Sequence, residues 1–212
     1  MQDPRVLQRA EGESAEGDEL TDAAMAEISR AYEASLKTPT GKHQPQILVC
    51  PVGLVGAGKT TVIKPIADQV GLLRISTDDI RHMLKDRGFN YLRLMEIARP
   101  LVEKYLKQGQ SLALDMDCVG SAYQFILQAE RQMHLKVIWL HIAPPETFIL
   151  HKLRNFKGGW MVDDNEKMVE TYFARKPLHE HLDMQFLFVF DTSRADLGRQ
   201  IADATQAIQA VK

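Results

Sequence analysis

The sequence predicts a three-layer α/β/α protein on a five-stranded parallel sheet, preceded by one extra helix. Three observations predict it. Short apolar runs alternate with longer stretches of helical periodicity from Gln46 onward. Those runs are mostly apolar rather than alternating, as strands covered on both faces should be. A glycine-rich turn joins the first run to the first helix behind it.

Composition bounds the reading further. The 212 residues carry 26 Lys and Arg against 28 Asp and Glu, a net charge of −2 that excludes a protein coating nucleic acid by charge alone. No apolar stretch approaches the ~18 residues of a membrane span. Met1–Leu20 is acidic and lacks the apolar core of a secretory signal, so a cytoplasmic protein with no membrane contact is expected. Cys50 and Cys118 form no CxxC or metal pattern and read as reduced thiols.

Residues 1–45 precede the predicted domain, 46–212. Met1–Asp18 is rich in Asp, Glu, Gly and Ser and poor in large apolar groups, the composition of a mobile tail. Leu20, Ala24, Ile28, Ala31 and Leu36 recur at helical spacing, so Leu20–Leu36 is an amphipathic helix that docks on its own domain or on a second copy. Lys37–Pro45 is a linker. Strands follow at Gln46–Val52, Leu72–Ser76, Ser111–Asp115, Leu135–His141 and Phe186–Phe190. Pro51 predicts that the first ladder ends there. Helices are expected at Gly58–Val70, Asp78–Lys85, Tyr91–Gln108, Ser121–Met133, Glu146–Asn155, Asp164–Arg175 and Ala195–Val211. Pro65 lies inside the first of these, at a typical cost of ~3 kcal/mol, and predicts a bend.

The strand-to-helix turn carries the chemistry. Gly53-Leu-Val-Gly-Ala-Gly-Lys-Thr60 fits G-x-x-x-x-G-K-[ST] between a strand and a helix. Its glycines let backbone N–H groups approach a phosphate, and the helix N-terminus adds unpaired N–H groups and partial positive charge. Gly53, Val55, Gly56, Ala57, Gly58, Lys59, Thr60 and Thr61 would form this nucleotide cradle. Lys59 would reach the terminal phosphates, and the Thr60 hydroxyl would ligate Mg²⁺.

Carboxylates at strand ends come next, because ligands of open α/β sheets sit beyond the carboxyl ends of the strands. Ser76 and Asp79 have capping-box spacing, which leaves Asp78 as the catalytic candidate. Asp115 ends its strand where a carboxylate can hold Mg²⁺, with Asp117 two residues on; capping of the helix at Ser121 is the alternative for both. Arg154 and Lys157, beside Gly158 and Gly159, suit a flap closing over phosphates or a solvated helix end. Ser193 and Asp196 suggest a cap for the last helix, in a loop that could also border a nucleotide base. His179-Glu-His181 lacks companions for a zinc site, and the basic residues are dispersed.

Taken together, GLVGAGKTT, ISTDDIR, KQGQSLALD, IAPPETFILHKLRN and FVFDTS make the chain resemble P-loop kinases of the zeta-toxin and polynucleotide-kinase-like group, from Gln46 to Lys212. The run ISTDDIRHMLKDRGF is also similar to adenylyl-sulfate kinases. The resemblance implies a P-loop NTPase fold with strand order 2-3-1-4-5, ATP and Mg²⁺ as cofactors, and phosphate transfer to a hydroxyl. It places the proton acceptor on Asp78, an acceptor contact on Arg81 and phosphate contacts on Arg154 and Lys157. A small-molecule acceptor is favoured over a polynucleotide 5′-hydroxyl, and no protein partner is readable. An NTPase using water and a nucleotide-binding regulatory module are the alternatives.

Overall fold

A computed structural model describes residues 17–39, 44–157 and 165–211. In chain order these form α1 (Asp22–Ser35), β1 (Ile47–Val52), α2 (Lys59–Val70), β2 (Leu73–Ser76), α3 (Thr77–Lys85) and α4 (Leu94–Lys107). Then come β3 (Leu112–Asp115), α5 (Ser121–Met133), β4 (Lys136–Ile142), α6 (Glu146–Arg154), α7 (Asn165–Arg175), a 3₁₀ turn (Lys176–His179), β5 (Phe186–Phe190) and α8 (Leu197–Gln209). All strand pairs are parallel, in the order β2-β3-β1-β4-β5.

The alternation of side chains along β1 divides the core in two. Leu48, Cys50 and Val52 face one layer with Ile28, Tyr32, Ile80, Leu84, Ile97 and Ile126. Ile47 and Val49 face the other with Ile63, Ile66, Ile149, Ile201 and Ile208. Both faces of β1 are therefore covered, and every one of its residues is buried.

Pro51 does not end the ladder on both sides. Pairing of β1 with β3 stops at Val49, whereas pairing with β4 runs on through Pro51 to Val52. The Pro51 carbonyl accepts the Cys118 N–H at 3.0 Å on the β3 side, so the missing N–H also faces that side, beyond the last rung. Pro65 likewise sits within α2, which continues to Val70. Cys50 and Cys118 are buried free thiols.

The first helix docks on its own domain. Leu20, Ile28 and Tyr32 are buried, and α1 packs on α3 and α4. The predicted stripe missed Tyr32. Residues 1–16 of the predicted tail, 40–43 of the linker and the Gly158–Gly159 pair lie outside the described residues. The tail boundary at Asp18 is corrected: the Asp18 N–H donates to the Gly88 carbonyl at 2.8 Å, and the Asp18 carbonyl accepts the Asn90 N–H at 3.0 Å. Backbone pairing of this kind needs no apolar side chain, so composition does not reveal it. Among the described residues no helix is long and apolar enough to cross a membrane.

Candidate active site

A cavity of about 490 Å³ opens between the β1–α2 loop, the carboxyl ends of β2 and β3, and α6–α7. Gly56 (φ +79°) and Gly58 (φ +97°) hold the loop in conformations that side chains resist. A Cβ at Gly56 would also stand 2.8 Å from Leu153 Cδ2. Gly58 is the N-cap of α2 and offers no side-chain bond, so the first N–H groups of the helix stay available to an anion. Lys59 Nζ donates to the carbonyls of Gly53 at 2.7 Å and Leu54 at 3.1 Å. Val55, Gly56, Gly58, Lys59, Thr60 and Thr61 line the cavity.

The hydroxyl of Thr60 donates to Asp115 Oδ1 at 3.0 Å, joining the loop to the end of β3. The second oxygen of Asp115 accepts from Arg74 Nε at 2.9 Å. Burial pushes the Asp115 carboxyl up, against the downward pull of Arg74 and Thr60. A hydroxyl beside a buried carboxylate is a hard-oxygen pair, which fits Mg²⁺ completed by phosphate oxygens and water. Among the described residues, no three His, Cys, Asp or Glu side chains converge as a separate metal cage.

At the head of α3 the two neighbouring carboxylates have different partners. Ser76 caps the helix, its Oγ accepting the Asp79 N–H at 3.2 Å. The reciprocal half of the predicted capping box is not made. The Asp79 carboxylate turns to Arg74, 2.9 Å from Nη1, and the Ser76 N–H donates instead to the Tyr32 hydroxyl at 2.7 Å. Asp78 accepts from Arg81 Nη1 at 2.6 Å. Asp78, Asp79, Arg74 and Arg81 all line the cavity.

Asp117 and Asp115 do not cap α5, whose N-cap is Gly120 without a side-chain bond. Asp117 Oδ1 accepts the Gly53 N–H at 3.2 Å, while Oδ2 accepts from Arg175 Nη2 at 2.9 Å and lies 3.0 Å from His179 Nε2. Burial pushes the Asp117 carboxyl up, but His179, Lys59 and Arg175 outweigh it and hold it well below the usual carboxylate range. Through Asp117, His179 thus ties the 3₁₀ turn to the phosphate loop.

Arg154 lies exposed at the end of α6, and neither it nor Lys157 is among the cavity-lining residues. Lys152, one half-turn earlier, does line it, and its Nζ donates to the Gly56 carbonyl at 3.2 Å. Burial and the nearby charge of Lys59 lower the Lys152 pKa. The last loop departs from its predicted cap: the Ser193 hydroxyl donates to Asp191, and Asp196 makes no side-chain cap on α8. Thr192 reaches the phosphate loop instead, donating to the Ala57 carbonyl at 2.7 Å. Sequence reasoning gave no role to Arg74, Lys152, Arg175 or Tyr32. Only Arg74 carried a signal, since it stands two residues before Ser76 and so on the same face of β2.

Fold and loop together define a P-loop fold of kinase-like topology. The chain belongs to the AAA domain family, whose model matches residues 48–155. Among solved structures it is similar to a sugar kinase from Janibacter sp. HTCC2649, at 21% identity and TM-score 0.51 over 77% of this chain and 93% of that one. It is similar as well to the Mycobacterium tuberculosis APS kinase in complex with AMPPNP and APS, at 14% identity and TM-score 0.52 over 78% of this chain and 98% of the other. A protein from Chloroflexus aurantiacus shares the fold at TM-score 0.58 and 14% identity, over 81% and 99% of the two chains. No curated protein matches the sequence.

Proposed function

We propose that the protein transfers the γ-phosphoryl group of ATP to the hydroxyl of a small-molecule acceptor. One observation carries this reading: the phosphate loop and the Asp78–Arg81 pair line the same cavity, so a nucleotide's terminal phosphate and a proton acceptor share one space. The kinases among the structural neighbours support it by analogy of fold. So does the resemblance to the zeta-toxin and polynucleotide-kinase-like group.

Residues 53–61 cradle the phosphates, and Lys59 and Lys152 supply positive charge there. Thr60 and Asp115 would hold Mg²⁺, whose chemistry is to neutralise charge on the β- and γ-phosphate oxygens. Asp78 takes the proton of the acceptor hydroxyl as its oxygen bonds to the γ-phosphorus. The bond from that phosphorus to the β–γ bridging oxygen breaks, and ADP leaves with the electron pair. Arg81 steadies Asp78 and the acceptor. Arg154 is not among the residues that line the cavity, so Lys59 and Lys152 carry the phosphate contacts first assigned to it.

Incubation of the full chain with ATP, Mg²⁺ and a panel of hydroxyl compounds tests the reading. ADP release that depends on an acceptor, with a phosphorylated product by mass spectrometry, is the expected result. Release without any acceptor would make the protein an NTPase, and binding without release a regulatory module.

A further inference from the structure

We propose that the acceptor half of the cavity takes an uncharged, largely apolar alcohol, an inference that rests on the phosphotransfer reading above. The first support is the wall. Beyond Asp78 the cavity is lined by Tyr91 just before α4, by Leu94 and Met95 in its first turn, and by Met116, Val119 and Ala122 from the end of β3 into the first turn of α5. Met95 and Met116 are half-buried and the other four buried. A sugar needs a hydrogen-bond partner opposite each hydroxyl it withdraws from water. Apart from the Tyr91 hydroxyl, these six side chains carry no strong donor or acceptor, and the Ser121 and Thr77 hydroxyls that also line the cavity already accept from Arg99 at 3.0 Å and Arg81 at 3.4 Å. They offer apolar surface and two pliable thioethers, which adapt to irregular apolar ligands.

The second support is charge. Apart from Lys59 and Lys152 at the phosphate loop, the ionic side chains that line the cavity are Asp78, Asp79, Asp115 and Asp117 against Arg74, Arg81 and Arg175, four negative and three positive, a formal excess of one negative charge. All three guanidiniums are already engaged. Arg81 holds Asp78 at 2.6 Å, Arg74 holds Asp79 and Asp115 at 2.9 Å each, and Arg175 holds Asp117 at 2.9 Å. An acceptor bearing a phosphate, sulfate or carboxylate would have to take an arginine from one of these carboxylates or face the negative excess unpaired. A neutral acceptor needs neither. Its one reacting hydroxyl gives its proton to Asp78, its oxygen takes the phosphoryl group and ADP leaves, while the rest of the molecule lies against the apolar wall.

The experiment compares three sets of acceptors on the full chain with ATP and Mg²⁺, read as acceptor-dependent ADP release and as product mass. The sets are apolar alcohols (phenylethanol, phenylpropanol, cyclohexylmethanol), polyhydroxylated compounds (glucose, ribose, adenosine) and anionic ones (glycerate, shikimate, a hydroxyl-ended oligonucleotide). The apolar set should have the highest kcat/KM, rising about tenfold per added methylene until the wall is covered. Met95→Gln and Met116→Gln should each raise KM for phenylpropanol about tenfold, with ATP affinity and thermal midpoint as in wild type. Turnover confined to polyhydroxylated or anionic acceptors would overturn the inference and leave the kinase reading standing. ATP binding with no acceptor-dependent release from any set would sink the kinase reading, and this inference with it.

Discussion

The phosphate loop and the acidic cluster line one cavity, yet they are made of different material. In the loop, the groups that would meet a ligand are mostly backbone N–H groups of consecutive residues, held open by Gly56 and Gly58 at positive φ. In the cluster they are side chains from three elements. Arg74 comes from β2, Asp78 and Asp79 from α3, and Asp115 from β3, with Tyr32 of α1 supporting the junction from behind. A backbone device is carried by one stretch of chain and tolerates most changes around it. A side-chain network exists only after four elements have packed, and each member depends on its neighbours' partners.

That contrast predicts where substitutions act. The largest effect should come from Asp78→Asn, which keeps size but removes the proton acceptor. Acceptor phosphorylation should fall by ~10²–10⁴-fold with ATP affinity retained. Steady-state kinetics beside nucleotide titration checks this, and a fully active variant would remove Asp78 from the chemistry. Lys59→Ala comes next, at ~10²–10³-fold in turnover, since one preorganised cationic donor is lost near the transferred charge. Its thermal midpoint should stay near wild type, because the Lys59 ammonium bonds only to loop carbonyls and carries no core packing. A variant that unfolded instead would show that the loop depends on this side chain for its shape.

Tyr32→Phe sharpens the comparison from the other end of the molecule. Its hydroxyl accepts the buried Ser76 N–H, so removing it strands that donor at a cost of ~1–3 kcal/mol. Burial also pushes the Tyr32 phenol upward, which keeps it a neutral donor and acceptor through the physiological range. Because Ser76 is the N-cap of α3, the strand-to-helix junction that carries Asp78 should loosen. The kinetic signature is a fall in kcat for acceptor phosphorylation at unchanged ATP affinity. An equal loss of ATP affinity would mean that Tyr32 supports the whole domain rather than this junction.

The same contrast explains what could be read from the sequence. Every strand was found within one residue of its observed ends, because apolar runs between turn residues report burial directly. The phosphate loop was legible because Gly53, Gly58, Lys59 and Thr60 stand at fixed offsets between a strand and a helix. The network was only half legible. Asp79 does sit at cap spacing from Ser76, but sequence distance could not show that a tyrosine 44 positions away would occupy the Ser76 N–H. Nor could it show that Asp117 would meet Arg175 and His179, which are 58 and 62 residues further along the chain. Docking of α1 was visible in its stripe, whereas its contribution to the site rests on one polar atom of Tyr32.

The smallest expected effect belongs to Asp79→Asn, and it discriminates between the two ways of building the site. If Asp79 served α3 as the second half of a capping box, its loss would weaken the helix start and little else. Its N–H, not its carboxylate, makes the observed cap bond to Ser76, and an asparagine keeps that N–H. Its carboxylate is 45% exposed, so the ion pair with Arg74 is solvent-screened and its removal should change stability by ~1 kcal/mol or less. The consequence should appear in Arg74. With Asp79 neutral, Arg74 keeps only Asp115 as a charged partner among those it now holds, and its guanidinium is freer to swing. Acceptor turnover should then fall by roughly tenfold or less, through loss of preorganisation, while Ser76→Ala costs ~1 kcal/mol of stability by removing the cap. Thermal melts and acceptor-dependent kinetics on the two variants separate these outcomes. A stability loss in Asp79→Asn as large as that in Ser76→Ala would restore the capping role. Unchanged kinetics in Asp79→Asn would show that Arg74 needs only Asp115 to stay in place.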